Sequence, residues 1–342
     1  MASKLLGNLK AAQLKHAAFL CGLPSTGIKA DLVAVLQRQA RSSAEQLGRR
    51  RTVSVDMGLR NLAYCVVDVP GIGGSPELGK GGRLLNVLQW KKTDLLRVAE
   101  AQVPIDPLVN IDSPTKSRSK KRGRPAAVPA SMFTPSELSK TAYSVTTELL
   151  KHEPDTILIE RQRFRSGGAA AIQEWTVRVN MLESMLWACL RTLSEGSTNK
   201  RVNFPTIHEV NPARVAHFWV STPGSNLQLT ADTLANTSEV ASAADGTGRK
   251  RVHKNDKIAV VRSWLKGEAG SSLTFEGGAA KVANAFASPS GRSSRTEPAD
   301  TEPSDDIGKL DDLADCLLQA AAWARWEENR NALTQLLLTE DG

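Results

Sequence analysis

Apolar and polar positions change period along the chain, and the changes mark its elements. Between residues 9 and 38, Leu9, Leu14, Phe19 and Leu20 follow one helical pattern and Leu32, Val35 and Leu36 another. Gly22, Pro24, Ser25 and Gly27 lie between them, which predicts a helix-loop-helix. From residue 52 the pattern is that of strands. TVSVD, NLAYCVVDV and RLLNVLQWKK (83–92) are rich in β-branched and aromatic residues and joined by short polar turns, which predicts an antiparallel meander. Thr134-Pro135-Ser136-Glu137 has capping-box spacing with proline at the first helical position, so a helix is expected to about residue 152. DTILIE is then a buried strand ending on Glu160. A long helix over about 171–195 follows, with Ile172, Trp175, Val179, Leu182, Leu186, Leu190 and Leu193 at the helical period. TIHEV (206–210) is a fifth strand, and KLDDLADCLLQAAAWARW opens a C-terminal helix. The expected order is β-β-β-α-β-α-β, an α/β fold with a five-stranded mixed sheet flanked by helices.

Three stretches lack such periods. Residues 113–131 are basic and proline-rich, and 222–250 and about 268–308 are rich in Ser, Gly, Ala and Thr, so all three are expected as disordered insertions. The boundaries that follow are a helical module at 1–40, a polar basic linker at 41–51, a core at 52–330 carrying the insertions, and a C-terminal tail at 331–342. The helical module resembles the SAP motif, a small DNA-binding unit, through the run GLPSTGIKADLVAVL, and the resemblance implies Lys29 as a DNA contact. A generic helical hairpin is the alternative. RGRP at 122–125 matches the core of an AT-hook, which would send Arg122 and Arg124 into a narrow minor groove. A plain basic loop fits the same four residues.

The chain of 342 residues is 41% apolar, enough for a sizeable core, and no window approaches the roughly 18–20 apolar residues of a membrane span. Its formal charge of +8 makes a polyanionic partner plausible. Cys21, Cys65, Cys189 and Cys316 are far apart, form no CxxC pair and sit mostly in apolar surroundings, so they read as reduced core thiols rather than disulfides or zinc ligands.

The acids carry the most information. Asp56 ends the first core strand, Glu160 ends the fourth, and Asp311, Asp312 and Asp315 open the C-terminal helix. A carboxylate ending a central apolar strand must be paired, solvated or bound to a cation, because burying it alone costs several kcal/mol or shifts its pKa. If the first and fourth strands are neighbours, Asp56 and Glu160 meet, and a divalent cation removes the conflict of like charges. Hard oxygen ligands suit magnesium, or manganese as a substitute. The helix acids face away from Leu310, Leu313 and Leu317, a separation that a merely solvated face also shows. Gly58 suits a tight turn close to a phosphate or metal, with Arg60 and Asn61 beside it. Arg161, Arg163 and Arg165 follow Glu160 directly, and Lys254 and Lys257 share one face of a helix expected to be capped by Asn255. Each of these basic groups is a candidate phosphate contact, with a solvated surface as the alternative.

SVDMGLRNLAYCVVD, ILIERQRFRSGGAAAIQEW and LDDLADCLLQAAAW, in that order, closely resemble the fungal mitochondrial Holliday-junction resolvases, in the RuvC-like branch of the RNase H superfamily. The resemblance implies an RNase H-like core in a magnesium-dependent endonuclease acting on four-way DNA junctions in mitochondria, leaving ligatable nicks. It also implies Asp56, Glu160 and Asp315 as metal ligands and catalytic residues, with Asp312 as the further acid and Asp311 as a credible substitute. Symmetric cutting of two strands suits a homodimer, for which the long helix with Met181 and Trp187 is the candidate interface. No membrane or small-molecule substrate is expected. Three other readings compete. DMGLRN also resembles the first phosphate loop of actin-like sugar kinases, but no second Gly-rich loop accompanies it. The others are a DNA-binding protein on an inactive nuclease core, and a related nuclease for RNA–DNA hybrids or other branched DNA.

Overall fold

The computed structural model describes residues 4–42, 50–71, 85–97, 130–162, 173–196, 204–220, 227–235, 252–268, 273–288 and 310–340. Strands β1 (Arg50–Asp56), β2 (Leu62–Val69) and β3 (Leu85–Thr93) form an antiparallel meander, as their short connections require. β4 (Thr156–Glu160) and β5 (Thr206–Val210) join through helical crossovers and lie parallel to β1. The sheet has six strands rather than the expected five, in the order β5-β4-β1-β2-β3-β6, because β6 (Leu273–Phe275) pairs in parallel with β3 at the edge.

Ten helices of the described residues surround it: α1 (Lys4–Asn8), α2 (Ala11–Leu20), α3 (Lys29–Ser42), α4 (Pro135–Leu150), α5 (Glu174–Gly196), α6 (Pro212–Val220), α7 (Ala231–Ala235), α8 (Lys254–Leu265), α9 (Gly277–Ala287) and α10 (Leu310–Glu340). Strand alternation divides the core in two. Val53, Val55, Tyr64, Val66, Ile157 and Ile159 face α4 and α5, whose Leu138, Val145, Leu149, Leu182, Leu186 and Leu190 complete one cluster. Ala63, Cys65, Val67 and Leu158 face the other way and pack with Leu313, Ala314, Leu317 and Leu318 of α10. α4 starts as its capping box requires, with Thr134 accepting a hydrogen bond from the Glu137 N–H and Pro135 leading the first turn.

Three expectations about irregular regions change. Residues 273–288 lie inside the stretch expected as an insertion, yet they form β6 and α9, and Phe286 stacks 5.2 Å from Trp90. Leu227, Leu229 and Leu234 lie inside another such stretch and are buried against the α10 side of the core. Both segments are short apolar clusters in Gly-, Ala- and Ser-rich surroundings, which averaged composition conceals. The expected tail from 331 is instead the last turns of α10, with Leu333 and Leu337 buried.

What buries those turns is the N-terminal hairpin. Leu14, Leu20, Leu32 and Leu36 share one core with Trp326, Leu333 and Leu337. Gly22, at φ +67°, closes α2 where any Cβ would overlap the Trp326 ring. The fully buried Asn329 donates to the Leu20 and Leu227 carbonyls (2.7 and 2.8 Å) and accepts from the Leu229 N–H (2.9 Å). Arg330 and Arg214 donate to the carbonyls of Cys21 and Gly22. The hairpin is therefore docked on the core. Among the described residues no helix is long and apolar enough to cross a membrane.

Candidate active site

Register and alternation place the acids. Val55 is opposite Ile159 in the parallel β1–β4 pair, so the next residues, Asp56 and Glu160, end neighbouring strands side by side. Both have the parity of Ser54 and Leu158, and so they turn toward α10. That helix is fixed in height by three contacts with the sheet. Gln319, 1% exposed, donates to Ser54 Oγ at 3.0 Å and lies within 3.4 Å of the Val55 and Leu158 carbonyls. Trp90 Nε1 donates to the Leu313 carbonyl at 3.0 Å, and Cys65 Sγ reaches the Cys316 carbonyl at 3.3 Å. Asp315 is one turn before Gln319 and therefore sits over the strand ends. One oxygen each from Asp56, Glu160 and Asp315 all lie within 4.8 Å of one another.

Gly58 shapes the turn after Asp56. A Cβ there would sit 3.0 Å from the Asn61 carbonyl oxygen, so the close neighbour is the turn's own backbone. Leu59 closes the turn by accepting from the Leu95 N–H at 3.0 Å.

The electrostatics are those of crowded, buried carboxylates. Burial, then the charges of Glu160, Asp315 and Asp312, push Asp56 well above the usual carboxylate range, against a smaller pull from Lys257. Burial also raises Asp315, although Lys257 is ion-paired to it. Asp312 is raised to about 6 by burial and the charge of Asp311. Burial opposes ionisation of Asp311 too, but the hydrogen bond and charge of Lys254 outweigh it and hold this carboxyl low. Asp311 is thus engaged by Lys254, whereas Asp312 keeps a buried Oδ2 with no hydrogen-bond partner among the described residues. Asp312 stands outside the group of three. Three converging carboxylates, two of them (Asp56 and Asp315) with raised pKa values, and an orphaned acid oxygen beside them fit a divalent cation held by oxygen donors.

The basic residues fall less uniformly. Lys254 and Lys257 share a face as expected, and it meets the acids of α10: Lys257 is partly buried against Asp315, while Lys254 pairs with Asp311 and stays largely exposed. The cap of α8 is His253, whose N–H donates to Asp256 at 2.8 Å, so Asn255 lies inside the first turn. Lys29 Nζ donates to the Gly7 carbonyl at 2.8 Å. Arg60 lies in the β1–β2 turn beside Phe133, Trp175 and Arg178. Arg122, Arg124, Arg163 and Arg165 lie outside the described residues. The lysine–acid pairs and the Gln319, Trp90 and Cys65 contacts were not foreseen; the only sequence signal was the three-residue spacing of Lys254 and Lys257.

Residues 52–333 match the family described as mitochondrial resolvase Ydc2 / RNA splicing MRS1. The chain belongs to this family. It is 26% identical over 324 residues to the mitochondrial cruciform cutting endonuclease 1 of Schizosaccharomyces pombe, covering 94% of each chain. Identity to the Saccharomyces cerevisiae protein of the same name is 24%, over 96% of this chain and 85% of that one. The crystal structure of the yeast mitochondrial Holliday junction resolvase Ydc2 superposes with a TM-score of 0.56 at 20% identity, covering 96% of this chain and 99% of the other. The family match spans the sheet strands from Thr52 onward and α10 as far as Leu333.

Proposed function

We propose that the chain is a structure-selective endonuclease that binds four-way DNA junctions and resolves them by paired, symmetric hydrolysis of phosphodiesters, leaving ligatable nicks. The observation that carries this is the convergence of Asp56, Glu160 and Asp315 from β1, β4 and α10 within 4.8 Å. Asp56, Glu160 and Asp315 would hold magnesium, or manganese in its place, with Asp312 as the further acid. The chemistry supplied by bound divalent cations is an activated water on one side of the phosphodiester and stabilisation of the leaving oxygen on the other.

The protein's own groups do the rest. Gln319, Trp90 and Cys65 hold α10 so that Asp315 meets the strand acids. Lys257 offsets part of the repulsion among them. Lys254, with 66% of its side chain exposed, stands at the rim beside Asp311, within reach of an incoming phosphate. Arg60, Arg163, Arg165, Lys29, Arg122 and Arg124 are the further proposed DNA contacts. Two like cuts call for two sites, hence a homodimer. The apolar groove of about 380 Å³ along α5, lined by Val177, Met181 and Met185, supports that helix as the interface.

The relatives are named as mitochondrial cruciform-cutting enzymes, which supports both the substrate class and a mitochondrial location. The family description also includes RNA splicing; the three converging carboxylates favour hydrolysis. The test is to incubate end-labelled four-way junctions with the full chain and magnesium, alone or with excess unlabelled junction, duplex or RNA–DNA hybrid. Paired nicks that a DNA ligase reseals, suppressed only by the junction competitor, support the reading. Preferential suppression by the hybrid would replace the substrate.

A further inference from the structure

Beyond the acids, one recess has a composition of its own. Arg60, Phe133, Trp175 and Arg178 line an open hollow of about 360 Å³, within the ~300–1,000 Å³ range of ligand sites. Trp175 was expected on the buried face of the long helix. Instead it is 41% exposed, the one tryptophan among the seven that is exposed. Its ring stands edge-on to Phe133, with centroids 6.0 Å apart, and the Arg178 guanidinium lies 3.7 Å over the Phe133 ring. Arg178 is also paired with Glu174, so the hollow keeps a net positive balance once Arg60 is counted.

Topology puts the hollow next to the acids. Arg60 belongs to the turn that begins after Asp56. α5 starts at the sheet end where β4 finishes on Glu160, and Phe133 precedes α4, which runs back along the sheet toward the start of β4. The acids face α10 and the aromatic residues face the opposite layer, so the β1–β2 turn is the bridge between them. A nucleic-acid strand with one phosphate at the acids reaches the hollow by crossing that turn.

We propose that this hollow holds one unpaired nucleotide of the DNA, its base stacked on Trp175 and its phosphate held by Arg60 and Arg178. An exposed π-face flanked by guanidinium groups is the chemistry that takes an unstacked base of any identity together with its backbone charge. A paired duplex offers no free base face, so the site reads the opened branch point rather than sequence. The inference rests on the nucleic-acid reading above and names which part of the substrate this surface takes.

The test uses the full chain in chelator with four-way junctions carrying 2-aminopurine at successive positions around the branch point. Single-stranded oligothymidylate and an uninterrupted duplex are measured beside them. Wild type and Trp175→Phe should change the fluorescence at one branch-point position, and Trp175→Leu should not. Trp175→Leu should also weaken junction and single-strand binding by roughly tenfold or more while leaving duplex affinity unchanged. Arg60→Gln should weaken the same two ligands, and it covers the case in which Trp175→Leu fails to fold, as judged by its melting curve. The proposal is overturned if no branch-point position responds in wild type, or if the folded variants lose duplex and single-strand affinity equally. Nicking of the same junctions by wild type in magnesium reports the endonuclease reading separately, so either idea can fail alone.

Discussion

Replacing Asp56 with Asn should make the metal-free protein more stable while removing a group proposed as essential. In the folded chain Asp56 is 9% exposed, and its carboxylate oxygen is within 4.8 Å of oxygens of both Glu160 and Asp315. At that separation and an effective dielectric near 20, each like-charge pair repels by roughly 3–4 kcal/mol. Lys257 offsets about one of the two, which leaves about 3 kcal/mol uncompensated. The protein can escape the repulsion by keeping Asp56 protonated, and at pH 7 that option limits the cost to about 4 kcal/mol at 1.36 kcal/mol per pKa unit. Asn carries no charge and should recover about 3 kcal/mol, a rise of roughly 4 °C in Tm for 342 residues at about 2.1 cal/mol/K of unfolding entropy per residue. The pH dependence has a fixed sign. Asp56 is raised in the folded state, so the unfolded chain loses its proton first as pH rises past an ordinary aspartate's 3.8. Wild-type stability should therefore fall, relative to Asp56→Asn, from about that pH until the folded-state group has ionised. The assay is thermal melting of both proteins in chelator from acidic to neutral pH, repeated with magnesium. Magnesium should narrow the gap, because it binds and stabilises the folded wild type. An Asn variant no more stable than wild type across the chelator series would mean that the Asp56 carboxylate is not destabilised by its neighbours in the folded chain.

Gln319→Leu leaves the Ser54 hydroxyl without its buried donor and weakens the seat of α10, so melting should show a loss of about 1–3 kcal/mol. Its junction-cutting rate should fall even at temperatures where it is fully folded, because Asp315 is displaced. Gly22→Ala forces a Cβ into the Trp326 ring at a positive φ; denaturant titration should show a loss of about 2–4 kcal/mol. If the hairpin is an integral part of the core, that loss appears in the main cooperative transition rather than in a separate early one. Met181→Glu puts a charge in the apolar groove of α5, and sedimentation should show monomers that nick single strands of a junction without pairing the cuts.

Legibility in the sequence followed the range of the interactions involved. Asp56 and Glu160 were visible because each interrupts a short apolar run at its end, and neighbouring strands turn that local signal into a shared site. Asp315 was visible through its spacing on α10. The pairing of Lys254 with Asp311 and Lys257 with Asp315 was not, because it joins two helices through packing that no local period encodes. Lysines on one helix face are equally compatible with bulk solvent. Asp311 and Asp312 were indistinguishable as neighbours in the chain; the lysine contact of one and the orphaned oxygen of the other separate them. β6 and α9 escaped notice because three strand residues and an alanine-rich helix draw their stability from docking on β3 rather than from their own composition. Trp175 has the helical phase of a core residue. It lies in the first turn of α5, where the helix runs past the sheet layer and its face is no longer covered.

The proposed junction cutting depends on Asp56 acting with Glu160 and Asp315. The most direct measurement compares wild type and Asp56→Asn on end-labelled four-way junctions, with binding followed in chelator and cleavage in magnesium. Comparable binding by both and paired symmetric nicks from wild type alone are expected. Tight binding by wild type without cleavage in magnesium or manganese across several junction sequences, or unimpaired cutting by Asp56→Asn, would contradict this proposal.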